Sequence, residues 1–271
     1  FVEAEVRTAG RAQHVVDVER ALALMAASAV AVRNIDLIYG IPGQTSASWK
    51  HSLQRAAAHT PEEIYLYPLY VRPLTGLDRL QREPGDNRTE LYREGRDWLL
   101  GHGYRQISMR LFRAERCAGV IDPPYVCQED GMVGLGPGAR SYTRALHYSS
   151  DYAVQRGSIV QIVDDFARPG RAGAGVVTYG IRLSLPEQQR RFIIKSLLRI
   201  DGLDGRAYRA RYGSDWLDDW PMLAELMELE LATVEDDHLR LNSDGLEWSD
   251  AIGPWLYSEP MRKQMAEFAW S

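Results

Sequence analysis

The feature that most constrains this chain is a short apolar strand that runs directly into a glycine–proline loop and is followed by a helix. Asn34-Ile-Asp-Leu-Ile-Tyr reads as a buried strand. Gly40-Ile-Pro-Gly ends it, because glycine reaches left-handed conformations and proline cannot donate to a ladder. Ahead of it, Val15 to Val32 carries Val15, Val18, Leu22, Met25 and Ala29 at helical spacing. Behind it, Ser46 is placed to cap a helix through about Ala58, and Ile64-Tyr-Leu-Tyr reads as a second strand. Arg88 to Leu100 predicts a third helix and Tyr104-Arg-Gln-Ile-Ser-Met-Arg a third strand. Strands beginning near 35, 64 and 105 lie 29 and 41 residues apart, with one helix in each gap. That is the βαβ rhythm of an α/β fold with a parallel sheet and right-handed crossovers. Three strands cannot close a barrel. The chain opens on Phe1 rather than Met, so the expectation is the C-terminal part of a longer protein with its remaining strands upstream.

After Arg113 the rhythm stops, and some 70 residues rich in Gly, Pro and Tyr follow, including Asp122-Pro-Pro-Tyr and Gly134-Leu-Gly-Pro-Gly-Ala-Arg-Ser-Tyr. Three parts are expected: α/β elements over 1–112, a loop-rich connecting segment over 113–184 with a glycine-rich loop, and a small helical, winged-helix-like domain over 185–271. The last part predicts helices at Gln188 to Ile200, Gly205 to Tyr212, Pro221 to Leu229 and Gly245 to Leu256. It also predicts a hairpin across Ala232-Thr-Val and Leu239-Arg-Leu.

Charge decides what such a module does not bind. Between Leu185 and Pro260 there are 8 Lys/Arg and 16 Asp/Glu, a net of 8 − 16 = −8, whereas a winged helix gripping DNA needs the opposite sign. The whole chain carries −5, so no basic field draws it to nucleic acid or anionic lipid. No run of 18 apolar residues exists to span a membrane. Two cysteines in 271 residues make no disulfide framework, and a reducing, cytoplasmic setting is expected.

Chemistry-bearing residues are few. Asp36 interrupts an apolar strand just before its loop, which puts a carboxylate toward the strand edge where βα folds bind ligands. It reads either as a carboxylate satisfied by loop amides or as an acceptor for ribose hydroxyls or an amine. Arg11 and Gln13 precede the first long helix, where the arginine is either solvated or a guanidinium fork for a carboxylate. Gly134-Leu-Gly-Pro-Gly-Ala lacks the third glycine of a dinucleotide fingerprint, and Pro137 removes an amide. Cys117 and Cys127, ten apart, fit no zinc or iron–sulfur spacing, so no metal site is expected within the chain. His147 stands among Tyr142, Tyr148 and Tyr152 as either a pocket wall or loop packing.

Asn34-Ile-Asp-Leu-Ile-Tyr-Gly-Ile-Pro-Gly-Gln-Thr resembles the radical S-adenosylmethionine (SAM) enzymes of the oxygen-independent coproporphyrinogen III oxidase group, which also contains a heme chaperone branch. Phe1-Val-Glu-Ala-Glu-Val with Gly10-Arg-Ala-Gln, Glu63-Ile-Tyr-Leu-Tyr-Pro-Leu, and Gly134-Leu-Gly-Pro-Gly-Ala-Arg-Ser-Tyr extend the likeness over nearly the whole chain. Ser108-Met-Arg-Leu-Phe-Arg and Asp130-Gly-Met-Val-Gly-Leu-Gly resemble an uncharacterised branch more than the oxidase proper.

The resemblance implies the C-terminal part of a partial (β/α)6 barrel. It also implies SAM and a [4Fe–4S] cluster as cofactors, the cluster's ligands lying before Phe1. By position it assigns Arg11 to the SAM carboxylate, Asp36 to ribose or methionyl polar groups, Ile38 to the adenine, and the backbone near Tyr70 to a further adenosyl contact. The implied activity is an oxidation by a 5′-deoxyadenosyl radical of a porphyrin-like or other bulky small molecule. The alternative on the same scaffold is heme binding or heme transfer, with His147 as the one residue that hints at a heme ligand.

Overall fold

The computed structural model describes residues 1–71, 73, 75–81, 83–117, 131–153, 155–168 and 179–267, and two compact units emerge. The first holds the described residues up to Cys117 together with 199–201 and 241–247; the second holds the described residues from Gly131 to Leu198, 202–240 and those from Trp248 onward. The stretches 199–201 and 241–247 of the C-terminal part belong to the first unit.

The first unit starts with α1 (Glu3–Thr8) and α2 (Val15–Ala26), the latter ending six residues before the expected Val32. Then come β1 (Asn34–Tyr39), α3 (Ser46–Ala58), β2 (Glu63–Pro68), a short α4 (Gly76–Arg79) and α5 (Arg88–Leu100). Thr45, not Ser46, caps α3: its side chain accepts from the Ser48 amide while Ser48 returns a bond to the Thr45 backbone. Strands β1 and β2 pair in parallel, Ile35 opposite Ile64 and Leu37 opposite Leu66, as the βαβ rhythm requires.

The third parallel neighbour does not form. Strand β3 is only Tyr104–Gln106, and a turn at Ser108, whose hydroxyl accepts from the Leu111 amide, sends the chain back as β4 (Leu111–Ala114). β4 inserts antiparallel between β2 and β3, giving the order β1-β2-β4-β3. The physical reason lies in burial. All four residues of β4 are buried, and Phe112 pairs with Ile64, so the central position goes to the segment with no solvent face.

One face of this sheet is covered by α3 and α5. Trp49 is 1% exposed, donates its indole N–H to the Leu91 carbonyl at 2.8 Å, and packs with Tyr39, Leu53, Leu66 and Tyr92. Gly95 permits that closeness, since a Cβ there would stand 3.0 Å from both Trp49 and Leu66. The other face carries Asn34, Asp36 and Ile38 of β1 beside Glu63, Tyr65 and Tyr67 of β2.

In the second unit the segment expected to be loop-rich contains a three-stranded antiparallel sheet, β5 (Arg140–Tyr142), β6 (Leu146–Ser149) and β7 (Tyr179–Arg182), and a helix over Arg156–Ala167. The glycine-rich stretch is tied to that sheet by its Gly134 amide, which donates to the Ser141 hydroxyl. Asp122-Pro-Pro-Tyr, Cys127 and Asp130 lie outside the described residues. Beyond β7 come helices Leu185–Leu197 and Gly205–Tyr212 and a 3-10 turn at Pro221–Leu223 that continues as helix Ala224–Glu228. The hairpin is present as Ala232–Glu235 and His238–Leu241, and Leu203–Asp204 adds a third strand beside the latter. Ile193, Leu197, Leu203, Tyr208, Leu223 and Leu239 are fully buried. The expected final helix is broken into Ser243–Glu247, which belongs to the first unit, and Ser249–Trp255, with a further helix at Glu259–Glu267. Among the described residues no helix is long and apolar enough to cross a membrane.

Candidate functional site

In the first unit, α1, the segment after it, α2, the first half of α3 and both faces of β1 line a cleft of about 590 Å³. Ile35, Leu37, Val15, Val18 and Leu22 form its apolar wall. Its polar groups are Glu5, Arg11, Gln13, Asn34, Asp36 and Gln44, with Tyr67 reaching in from β2. An apolar recess with a few convergent polar groups is the usual form of a small-molecule site.

Arg11, Asp36 and Ile38, which sequence reasoning assigned to one ligand from two separate segments, all line this cleft. Arg11 is exposed just past α1, so its guanidinium keeps its hydration until a ligand arrives. The Asp36 carboxylate accepts one hydrogen bond, from the Asn34 side-chain amide at 2.8 Å, and remains exposed, so it retains acceptor capacity. Tyr70 is not among the lining residues. It is 46% exposed, its hydroxyl accepts from Arg110 at 2.9 Å, and the Arg110 guanidinium lies 5.7 Å from its ring. Tyr67, three residues earlier and opposite Ile38 in the strand register, is the β2 aromatic that borders the cleft. Burial raises the Tyr67 hydroxyl's pKa, with the Asp36 carboxylate adding to it, so this phenol stays protonated and able to donate.

Two residues with strong local roles were not singled out, although both stand inside the stretches that carry the family resemblance. Gln44 is buried, and its side-chain oxygen accepts from the Gly40 amide at 2.7 Å and the Ile41 amide at 3.4 Å. Its side-chain nitrogen donates to Glu5 at 3.2 Å and to the Ile38 carbonyl at 3.4 Å. Gln44 thereby holds the turn after β1, where Gly40 sits at φ +78° with no room for a Cβ beside Arg88. Glu5 is 8% exposed, and its second oxygen has no hydrogen-bond partner among the described residues.

In the second unit, His147 on β6 meets Arg191: Nη1 of the arginine stands 2.7 Å from Nε2 of the ring, and Tyr142 packs edge-on at 4.8 Å. A guanidinium has donors only, so Nε2 accepts and the ring is neutral. Burial, followed by the Arg191 charge, lowers the His147 pKa to about 4. The nitrogen that a heme iron would take is therefore already engaged.

The cleft's residues fit an amphipathic adenosyl ligand: an apolar wall, a guanidinium and acceptors for hydroxyls. They do not fit an iron–sulfur cluster. Cys117 is a buried free thiol, and no group of three His, Cys, Asp or Glu among the described residues could hold a metal.

No protein-family model matches the chain. Among curated proteins it is 28% identical over 139 residues to the heme chaperone HemW of Synechocystis, covering 46% of this chain and 32% of that one. It is 25% identical over 233 residues to the oxygen-independent coproporphyrinogen III oxidase of Escherichia coli, covering 78% of this chain and 49% of that one. The mouse mitochondrial radical S-adenosyl methionine domain-containing protein 1 is 29% identical over 143 residues, with 51% and 32% covered. The solved structure of E. coli coproporphyrinogen III oxidase (HemN), described as a radical SAM enzyme, superposes with a TM-score of 0.72 at 21% identity. That match covers 94% of this chain and 62% of the other. The chain spans about a third to a half of the curated relatives' length.

Proposed function

We propose, for a chain that belongs to the HemN/HemW-like family of radical SAM proteins, that the cleft over β1 binds the adenosyl and methionyl parts of S-adenosylmethionine. On this reading the protein is an oxidoreductase related to coproporphyrinogen III dehydrogenase. The first unit is then the C-terminal part of a partial (β/α)6 barrel, and the helices and hairpin of the second unit are a winged-helix-like domain. When bound and given one electron by a reductant that the described residues do not hold, SAM would supply hydrogen-abstracting chemistry toward a porphyrin-like or other bulky substrate. The chain's own contribution is binding and orientation. Arg11 takes the carboxylate as a charge-assisted pair, Asp36 accepts from the ribose, Ile38 packs on the base, and Tyr67 closes the β2 side. Among the described residues no group would hold a [4Fe–4S] cluster.

The observation that supports this reading is the convergence of Arg11, Asp36 and Ile38, up to 27 residues apart (38 − 11), on one cleft. Heme transfer on the same scaffold remains the second reading, favoured by the HemW relatives and opposed by the engaged His147 ring. Two measurements separate them. The enzyme reading expects the full-length protein, not this chain alone, to release 5′-deoxyadenosine, and to release more when a porphyrinogen is added under reducing, anaerobic conditions. Stoichiometric hemin binding without such release supports the carrier and contradicts the enzyme.

A further inference from the structure

The stretch Ser108-Met-Arg-Leu-Phe-Arg has no part in the adenosyl reading, yet it carries an arginine to the ligand-binding end of the sheet. Arg110 closes the turn that opens at Ser108 and stands immediately before β4. Its carbonyl accepts from the Leu66 amide at 2.9 Å, which ties it to the C-terminal half of β2. Ligands of βα folds bind at that end of the strands. Because β2 lies between β1 and β4, Arg110 is across Tyr67 from β1, and it is not among the cleft's lining residues.

The side chain of Arg110 is oriented by its neighbours. Its guanidinium stands over the Tyr67 ring at 5.6 Å and over the Tyr70 ring at 5.7 Å, and Nη2 donates to the Tyr70 hydroxyl at 2.9 Å. Ring contacts at this range restrain a long side chain, so it loses less rotamer freedom when it meets a ligand. Tyr67 itself borders the cleft, and Tyr65 stacks on it with ring centres 5.7 Å apart and planes 9° apart. The result is a row of flat rings leading out of the cleft to one oriented cation. Arg113, the arginine of β4, is buried and bonded to Glu63 at 3.0 and 2.7 Å, so that acid is already matched. A guanidinium fork suits a carboxylate, and aromatic faces suit an unsaturated ring.

We propose that Arg110 is a specificity-determining residue for the substrate, pairing with an acid group of a ring compound that lies against Tyr67 and Tyr70 outside the adenosyl cleft. This rests on the adenosyl reading of the cleft and adds to it a requirement that the substrate carry a free acid on that side.

The test titrates the chain with two fluorescent probes in the same dilute co-solvent: coproporphyrin III, which has free carboxylates, and its tetramethyl ester, which has none. S-adenosylhomocysteine is titrated in parallel by calorimetry. Arg110→Gln should lower the affinity for the acid about 10-fold, the worth of one charged hydrogen bond, and leave the ester unchanged. Arg110→Lys, which keeps the charge without the planar fork, should fall between. The acid-to-ester ratio is the readout, so a variant that folds less well lowers both affinities and cannot imitate the effect. S-adenosylhomocysteine affinity should be the same in parent and variants, since Arg110 lies outside the cleft. An acid-to-ester ratio unchanged in Arg110→Gln, or an acid that does not bind the parent at all, overturns the Arg110 assignment and leaves the adenosyl site standing. Failure of S-adenosylhomocysteine to bind the parent overturns the adenosyl reading, and with it the place given to Arg110 beside that site.

Discussion

Nη1 of Arg191 lies 2.7 Å from Nε2 of His147, while Nη2 of the same arginine donates to the Arg144 carbonyl. One guanidinium therefore ties helix Leu185–Leu197 to β6 and to the turn leading into it, and it holds the histidine as a neutral acceptor. A hemin titration should show no Soret change that depends on His147, with His147→Ala and the parent chain superimposable. A shift lost in His147→Ala would show that the ring leaves Arg191 to bind iron.

The same pair sets a pH dependence. The folded pKa of His147 is lowered to about 4 from 6.5, so the unfolded chain binds the extra proton throughout that window. Stability contributed by the neutral ring is full above about pH 6.5 and is lost as pH falls toward 4. With partial solvent screening the loss is on the order of 1–2 kcal/mol. Urea midpoints between pH 7 and 4.5 should fall less in His147→Gln than in the parent. Parallel slopes for the two proteins would contradict the assignment.

Asp219 organises the second unit. Its Oδ2 accepts from Gln189 at 2.9 Å, from the Tyr208 hydroxyl at 2.8 Å and from Ser214, while Trp220 donates to the Tyr208 oxygen at 3.0 Å. Asp219→Ala strands donors on buried Gln189 and Tyr208 and should cost about 2–4 kcal/mol. Denaturant unfolding monitored by tryptophan fluorescence checks this, and a loss under 0.5 kcal/mol, about the scatter of a surface substitution, would show the network to be incidental.

Trp49 fills the first unit's core. Trp49→Ala should destabilise it by about 3–5 kcal/mol, through lost burial and the cavity left behind. Gly95→Ala, by contrast, adds a methyl 3.0 Å from the indole and should cost about 1–3 kcal/mol through overpacking. Thermal unfolding of both variants ranks them. Gly95→Ala melting below Trp49→Ala would reverse the packing picture.

Much of the first unit was legible because its signals are local. Strand β1 follows from an apolar run stopped by Gly40, and α3 follows from a cap and helical spacing, with the cap displaced by one residue to Thr45. What escaped was set by distant partners. β4 has no alternation to read, and its place between β2 and β3 comes from Phe112 meeting Ile64, 48 residues earlier (112 − 64). Of the cleft's lining, Arg11, Asp36 and Ile38 were singled out through motif resemblance, since an exposed arginine and an aspartate in a strand carry little signal of their own. Glu5 escaped because its hydrogen-bond partner, Gln44, lies 39 residues on. Tyr67, opposite Ile38 in the register of β1 and β2, borders the cleft, which numbering alone does not reveal.

The central claim, that the cleft over β1 is an adenosyl site, is tested most directly by titrating SAM into the chain and its Asp36→Ala variant by calorimetry. Asp36 is exposed on the sheet face and bonded only to Asn34 among the described residues, so the variant should keep the parent's melting temperature. Saturable binding that weakens about 10- to 150-fold in Asp36→Ala, the worth of one charged hydrogen bond at roughly 1.5–3 kcal/mol, is the result predicted. Equal affinity in the two proteins would contradict it.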